Sequence, residues 1–338
     1  MIRKIPHRRT PFKAEEDLFY ERCEGGGDRI PVWFDCDTGV DDANALLLLH
    51  QLDCFDLIGV STVAGNVGLE MTTRNTLAVL ELAGSGVPVY RGAALPLIRD
   101  QIMAPEVHGK NGLGGVILPE PKKQIEDLTA WDALYQAALA HKGELVLIAV
   151  GPMTNIGLAL AKYKDLPRLI KRAVIMGGAA VGGNTSPAGE FNILVDPEAA
   201  DMLFSSGIPV AMCGLDMTLK AYMTPKELDD LGALGSPQAR FTRDCLQSAQ
   251  TYSMSLGHKG AALHDPAAVL YAADPSIFED YPAWVRVETA RCKTYGKTVT
   301  DLYSDKKREP RNHRVVIDLD REAFLARLFH LMRRYNGG

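Results

Sequence analysis

Four carboxylates lie within one short segment near the start of the chain: Asp35, Asp37, Asp41 and Asp42. They follow an apolar run that is typical of a buried strand, and they precede the segment 44–50, which is typical of a helix. A strand, a glycine turn and a helix would gather the acids in one small volume, where ionised carboxylates repel one another. We predict that a cation joins them, and ligands that are all oxygen favour Ca²⁺ or Mg²⁺ over zinc. A solvated acidic turn is the alternative.

The composition excludes two classes of protein. The 338 residues carry 37 basic and 42 acidic side chains, a net charge of −5, and contain no long basic block. Nucleic-acid binding is therefore not expected, because phosphate contacts require clustered Lys and Arg. No run of eighteen apolar residues occurs, so we expect no membrane contact. The apolar fraction of 46% is ample for a large core.

The six cysteines show no C-x-x-C pair and no spacing typical of a disulfide framework. We predict that they are reduced packing residues of a cytoplasmic protein. Residues 1–29 are polar and end in three glycines, and they contain no apolar segment typical of a secretory signal. We interpret 1–29 as an N-terminal extension and 30–338 as one domain.

Short β-branched runs alternate with helical patterns from Ile30 onward. The predicted strands are 30–36, 56–63, 87–90, 144–150, 173–177 and 208–213. The predicted helices between them are 41–52, 69–83, 131–141, 154–163 and 197–206. The C-terminal part adds helices at 237–256, from about 266 and at 321–334, with strands near 284–292 and 313–319. This alternation predicts an α/β fold: a single doubly wound, mostly parallel sheet flanked by helices, with C-terminal helical and β additions.

Open sheets of this class bind ligands beyond the carboxyl ends of their strands. The predicted strands deliver Asn66, the segment 150–155 and Met176 to that edge. Two further segments carry suitable groups: the loop 183–192, with two amides and one acid, and the triplet 264–266, His-Asp-Pro. Each has a structural alternative, since Asp265 could cap a helix and His264 could be a packed imidazole.

Several of these segments together resemble the inosine–uridine-type nucleoside hydrolases, from about Ile30 to the C-terminal helix. The similar motifs are Asp-x-Asp-x-Gly-x-Asp-Asp-Ala at 35–43, Ala-Gly-Asn at 64–66, His-Gly-Lys-Asn-Gly-Leu at 108–113, Gly-Pro-Met-Thr-Asn at 151–155, Met-Gly-Gly at 176–178, Glu-Phe-Asn at 190–192, Asp-Pro-Glu-Ala at 196–199 and His-Asp-Pro at 264–266. The order and spacing of these motifs make the resemblance specific.

The resemblance implies a Ca²⁺ site and a role for each residue near it. The implied metal ligands are Asp37, Asp42, Asp265 and the backbone carbonyl of Val150, where relatives have Thr. Asp37 would also act as the general base toward metal-bound water, and Asp35 would support the metal turn. The implied substrate-binding residues are Asp41, Asn66, His108, Met176, Asn184, Glu190, Asn192 and Tyr252. His264 would lie near the leaving base, with His108 and Tyr252 on segments that close over it.

The same inventory fits hydrolysis of an N-glycosidic bond. Such a reaction passes through a ribosyl cation-like state, which requires negative charge near the sugar and a placed water. A cis diol of the sugar can also ligate Ca²⁺. The departing base requires a proton donor or strong hydrogen bonds, and His264 is the best candidate because imidazole titrates near neutral pH. The expected partner is a small ribonucleoside, and the resemblance implies a homodimer or homotetramer.

Two alternative functions stay open at this level. Phe-Asp-Cys-Asp-Thr at 34–38 imitates the signature of haloacid-dehalogenase-like phosphatases, in which Asp35 would be the nucleophile and Asp37 the acid/base. The crowding by Asp41 and Asp42 is unneeded for that role. A non-catalytic nucleoside-binding protein is the second alternative, although every expected ligand position holds a competent residue. The preferred base cannot be deduced from the sequence.

Overall fold

The computed structural model describes Phe19, residues 29–302 and residues 312–337. Within these residues nine strands form one sheet, in the order β10-β9-β11-β6-β5-β4-β1-β2-β3. The strands of this sheet are β1 Ile30–Cys36, β2 Phe55–Thr62, β3 Val89–Arg91, β4 Leu145–Ala149, β5 Ile170–Met176, β6 Val210–Cys213, β9 Phe278–Val287, β10 Thr298–Asp301 and β11 His313–Leu319. Neighbouring strands from β3 to β11 run parallel, whereas β9 is antiparallel to both β11 and β10. A separate hairpin pairs β7 Tyr222–Met223 with β8 Ala261–Ala262.

Helices cover both faces of the large sheet. They are α1 Val40–His50, α2 Leu69–Ala83, α3 Pro105–His108, α4 Ala130–His141, α5 Thr154–Lys162, α6 Phe191–Val195, α7 Pro197–Ser205, α8 Leu215–Thr218, α9 Pro225–Gly232, α10 Pro237–Ser255, α11 His264–Ala273 and α12 Arg321–Arg333. Side chains alternate along a strand, so β1 contributes Phe34 and Cys36 to the core under α1, α11 and α12. Its intervening Trp33 lies in the second core, under α4, α5 and α7.

Helix α1 begins where the acidic segment ends the first strand. The Asp42 carboxylate accepts the N–H of Gly39, the residue that caps the helix, at 2.9 Å. An acid in the first turn also interacts favourably with the helix dipole. The run Leu46–Leu49 is buried and anchors the helix to the core. The acids of the first turn are therefore held at the sheet edge by the packing of the rest of the helix.

The predicted fold class is confirmed, and most predicted elements lie within three residues of the observed ones. The largest difference concerns the strand predicted near 284–292, which is observed as Phe278–Val287 because residues beyond it form turns. The triplet 264–266 does not precede its helix but lies within its first turn. Leu263 is the capping residue, so the cap alternative for Asp265 is wrong. The interpretation of 1–29 as an extension falls outside the described residues, except Phe19 and Arg29.

The expectation that every cysteine is reduced is wrong at Cys54, which is disulfide-bonded. Cys36, Cys213 and Cys245 are free and buried, as expected for packing residues, and Cys292 is free and exposed. Among the described helices, none has the length and apolar character needed to span a membrane.

Candidate active site

The acidic turn lies at the topological switch point of the sheet. Strand β1 pairs with β2 on one side and with β4 on the other, so the chain leaves these strands in opposite directions and opens a crevice at their carboxyl ends. Asp37 follows β1, and Val150 follows β4 with its N–H bound to the Asp35 carbonyl at 2.8 Å. A Cβ atom on Gly151 would lie 2.9 Å from Asp37 Oδ1, so this close approach requires glycine.

Three acids converge within this crevice. One carboxylate oxygen each of Asp41, Asp42 and Asp265 lie within 4.8 Å of one another. Asp37 joins them through its backbone, whose N–H donates to Asp42 Oδ1 at 3.1 Å. Helix α1 supplies two of the acids and the start of α11 supplies the third. Residues more than 200 positions apart in the sequence thus form one acidic cluster, which we define as Asp37, Asp41, Asp42 and Asp265.

Burial dominates the electrostatics of the acidic cluster. It raises the pKa of Asp41 and of Asp42 to about 6. Burial and the neighbouring acids raise the pKa of Asp37 and of Asp265 well above the usual range. Buried carboxylates in such proximity are costly unless a cation joins them. A donor set of carboxylate and carbonyl oxygens fits a hard divalent cation, which would remove this repulsion.

Asn66 holds the acidic cluster together from the end of β2. Its backbone N–H donates to Asp37 Oδ2 at 2.7 Å, and its side-chain amide donates to Asp42 Oδ2 at 3.0 Å. The residue is 6% exposed. Asn66 therefore orients two acids, a role that the sequence did not predict, in addition to the substrate contact that the resemblance implies.

Asp35 faces the opposite side of the sheet from α1. Its Oδ2 accepts the hydroxyl of Ser61 and the amide of Asn155, the latter at 2.8 Å. Trp33 Nε1 in turn donates to Ser61 Oγ at 2.8 Å. Burial raises the pKa of Asp35 to about 7. Asp35 thus ties β1 to β2 and to α5 directly behind the acidic cluster, through Ser61 and Asn155, which sequence reasoning did not connect with it.

A second polar group lies at the end of β5. Asn192 donates its amide to the Val150 carbonyl at 2.6 Å and to the Met176 carbonyl at 3.1 Å. Glu190 is 2% exposed, and burial raises its pKa to about 7. Its Oε2 accepts the N–H of Gly178 at 2.8 Å. Asn184 is exposed instead, and its Oδ1 accepts the Phe191 N–H at 3.0 Å. In this conformation the structure brings Asn192, Met176 and Glu190 together and leaves Asn184 at the surface.

His108 contacts Val40, the first residue of α1. Its Nδ1 accepts the N–H of Val40 at 3.0 Å, which places the ring proton on Nε2. The ring is 8% exposed, and burial lowers the pKa of His108 to about 3. Ser248 of α10 donates to the Val107 carbonyl at 3.3 Å, so this helix packs on the segment that carries His108. Tyr252 lies one turn further along α10 and is half-buried.

His264 adjoins the acidic cluster at the start of α11. Its Nδ1 lies 2.8 Å from Thr218 Oγ1, and the side chain is partly buried. Burial, with the nearby His258, lowers the pKa of His264 to about 4. A neutral imidazole at pH 7 has one donor and one acceptor nitrogen, so the contact with Thr218 leaves Nε2 for a further hydrogen bond.

Fold and site define an α/β enzyme with an oxygen-rich candidate metal centre at its switch point. Residues 32–326 match the sequence profile of a family described as inosine-uridine preferring nucleoside hydrolase, and the chain belongs to this family. The protein is accordingly a hydrolase that acts on N-glycosyl compounds. The resemblance noted from the motifs is confirmed, and the family match gives no support to the phosphatase alternative.

The similar proteins of known name are ribonucleoside hydrolases. The chain is 40% identical over 309 residues to a pyrimidine-specific ribonucleoside hydrolase RihA of Shewanella woodyi. The aligned region covers 90% of this chain and 99% of the relative. It is 41% identical over 299 residues to RihA of Klebsiella pneumoniae subsp. pneumoniae, with 88% and 96% covered. Among solved structures, a purine-preferring ribonucleoside hydrolase from Gardnerella vaginalis superposes with a TM-score of 0.85 at 33% identity, covering 90% of this chain and 98% of that chain.

Proposed function

We propose that the protein hydrolyses pyrimidine ribonucleosides to free base and ribose, as a step of nucleoside salvage, and that it depends on Ca²⁺. The observation that carries the proposal is the buried acidic cluster at the switch point, where Asp41, Asp42 and Asp265 place oxygens within 4.8 Å of one another. Relatives named as pyrimidine-specific at about 40% identity support the choice of base.

Asp37, Asp42, Asp265 and the Val150 carbonyl would hold the ion. When bound, Ca²⁺ would lower the pKa of a coordinated water and ligate the cis diol of the sugar. Asp37 then accepts the proton of the attacking water, whose oxygen forms the new bond to the anomeric carbon. Its carboxylate is already oriented by the Asn66 N–H at 2.7 Å. The electron pair of the broken C–N bond leaves with the base, which takes up one proton on release and so balances the proton that Asp37 accepts.

The remaining polar groups would bind the sugar. Asp41 projects from the first turn of α1 beside the metal ligands, where it can accept a hydroxyl of the same diol. Asn66, Asn184, Glu190 and Asn192 would form further hydrogen bonds with the three sugar hydroxyls, with Met176 beneath the ring. Acids and amides suit this task because the sugar gains positive charge as the bond to the base breaks. Asn184 is exposed in the structure and would have to turn inward to contribute.

The leaving base would be stabilised by His264, and His108 and Tyr252 would close over it. His264 is oriented by Thr218 at Nδ1, so its Nε2 can form a hydrogen bond with the departing base. His108 offers its Nε2 proton because Nδ1 is engaged by Val40. Both rings are neutral near pH 7 without substrate, so each acts first as a hydrogen-bond partner.

The test is release of base and ribose from uridine, cytidine and inosine, with Ca²⁺ or with a chelator. We expect the two pyrimidine nucleosides to react fastest and the chelator to abolish turnover. Asp37→Asn should lower kcat by about 100-fold or more, the usual contribution of a general base. Asp56→Asn, at an exposed position of β2, is the matched control. Turnover that persists in Asp37→Asn or in chelator would contradict the proposal.

We also propose a homodimer or homotetramer in solution, as the family resemblance implies. Light scattering on the purified chain measures this directly, and a monomeric mass at assay concentration would refute it.

A further inference from the structure

The turn after β5, which we define as residues 178–182, is held by Lys297, the residue directly before the edge strand β10. Lys297 Nζ donates to the carbonyls of Ala179, Ala180 and Gly182 at 2.7, 3.1 and 3.3 Å. An ammonium group has three protons, so these contacts use its full donor capacity. The pKa of Lys297 is lowered overall, because the effect of its partial burial exceeds the opposite effect of the nearby Asp216 carboxylate. The ammonium group of Lys297 therefore contacts the backbone carbonyls of this one turn.

Two more side chains complete this attachment. Thr298 Oγ1 accepts the Ala179 N–H at 2.9 Å and donates to the Ala179 carbonyl at 2.7 Å. Asp216 accepts the N–H groups of Ala180 and Val181 at 2.6 and 3.1 Å. A turn outside helix and sheet must find partners for its backbone groups. Here the acceptors are satisfied by a cation and a hydroxyl, and the donors by an anion and the same hydroxyl.

The same turn orients Glu190. The N–H of Gly178 donates to Glu190 Oε2 at 2.8 Å. Gly178 has φ +76°, and a Cβ atom there would lie 2.7 Å from Thr298 Cγ2, so the turn is pressed directly against the first residue of β10, which follows Lys297. Displacement of the turn would therefore move the N–H that fixes the Glu190 carboxylate.

The position of Glu190 indicates which sugar hydroxyl it meets. In the proposed function the cis diol, at C2′ and C3′, faces the ion at the ends of β1 and β4. The remaining hydroxyl of ribose, at C5′, then faces the next strand end, which is that of β5 and its Glu190. We infer that Lys297 is a positioning residue for recognition of the 5′-hydroxyl, acting through the turn 178–182 and Glu190. This inference rests on the proposed function.

The experiment compares uridine with 5′-deoxyuridine in Lys297→Met. A hydrogen bond to a charged group corresponds to about 10- to 100-fold in binding, so we expect kcat/KM for uridine to fall by about that factor, mainly through KM. The kcat/KM for 5′-deoxyuridine should change by less than about threefold, because this substrate has no 5′-hydroxyl that could bind Glu190. Lys293→Met is the matched control, since Lys293 is exposed in the same connection between β9 and β10.

Two further measurements separate positioning from general damage. Hydrogen exchange at the amides of Ala180 and Val181 should accelerate in Lys297→Met and stay unchanged in Lys293→Met. Lys297→Arg keeps the charge and the donors, and it should recover most of the preference for uridine. If Lys297→Met does not fold, Asp216→Asn tests the same turn from its donor side, with the same expected loss of preference.

Equal losses on both substrates, or unchanged kinetics with uridine, would overturn the inference. A wild-type enzyme that hydrolyses both substrates equally well would also overturn it while leaving the proposed function intact. A wild-type enzyme that hydrolyses neither, with Ca²⁺ present, would overturn the proposed function and this inference with it.

Discussion

Replacement of Asp42 by Asn should stabilise the metal-free protein while it removes the response to metal. At pH 8 the carboxylates of Asp41 and Asp42 are both ionised in the metal-free state, because their pKa values of about 6 lie below that pH. Their oxygens lie within 4.8 Å. One such pair repels by about 3.5 kcal/mol at an effective dielectric constant of ~20.

The substitution also has a cost. Asp42 accepts N–H groups from Asp37, Gly39 and Asn66, and an asparagine keeps only one oxygen for these donors. The loss of one or two acceptor contacts costs about 1–2 kcal/mol. The expected net effect in chelator is therefore a gain of about 2 kcal/mol in the free energy of unfolding. Most substitutions of buried residues destabilise, so the sign of this effect is diagnostic.

Urea unfolding at pH 8 measures the effect, with chelator and with excess Ca²⁺. The wild-type protein should gain about 3 kcal/mol with Ca²⁺ at a hundredfold excess over Kd, and Asp42→Asn should gain little. Asp56→Asn, an exposed control with the same chemical change, should behave as the wild type. If Asp42→Asn is less stable than the wild type in chelator, the argument that the acids are held against mutual repulsion is wrong.

Two other substitutions test the groups around the acidic cluster. Burial raises the pKa of Asp35 from 3.8 to about 7, so the folded state binds a proton that the unfolded state releases between these values, and stability falls as the pH rises through that window. Asp35→Asn should lack this decline. Between pH 4 and pH 8 the free energy of unfolding, measured with urea in chelator, should fall by about 4 kcal/mol more in the wild type than in the variant. Parallel pH profiles of the two proteins would refute the raised pKa of Asp35. Asn155→Ala should destabilise by about 2–3 kcal/mol, because Asp35 loses a donor and the Ala93 N–H loses its acceptor. A change below about 0.5 kcal/mol in the free energy of unfolding, measured by thermal or urea unfolding, would show that water replaces the amide.

The parts of the site that are local in sequence could be predicted, and the parts that depend on packing between distant segments could not. The acids of 35–42 lie on one strand, one turn and one helix, so their proximity follows from those elements alone. Asn155 contacts Asp35 across 120 positions, and Lys297 contacts Ala179 across 118. Strand β10, which begins directly after that lysine, is a short edge strand next to an antiparallel neighbour, and its pattern differs little from that of a loop.

The fold was predictable for a related reason. A parallel strand buried on both faces requires a continuous apolar run, and such runs at 30–36 and 144–150 mark the two strands that flank the switch point. Strand β9 obeys no such requirement, because it is antiparallel to its neighbours and many of its residues are only partly buried. Its boundaries were therefore the least accurate among the predicted strands.

The contacts that support the carboxylates explain why the acidic cluster and Glu190 can both remain buried within one crevice. The acidic cluster is held from behind by Asn66 and by the first turn of α1, while Glu190 is held by a turn that Lys297 and Asp216 attach to the sheet edge. Backbone and amide N–H groups satisfy the carboxylates in both places, and the ammonium of Lys297 contacts carbonyls instead of the acid. A cation beside Glu190 would lower its pKa and offset the negative field that a ribosyl cation requires. Placing the lysine behind the turn keeps the pocket acidic while still fixing its geometry.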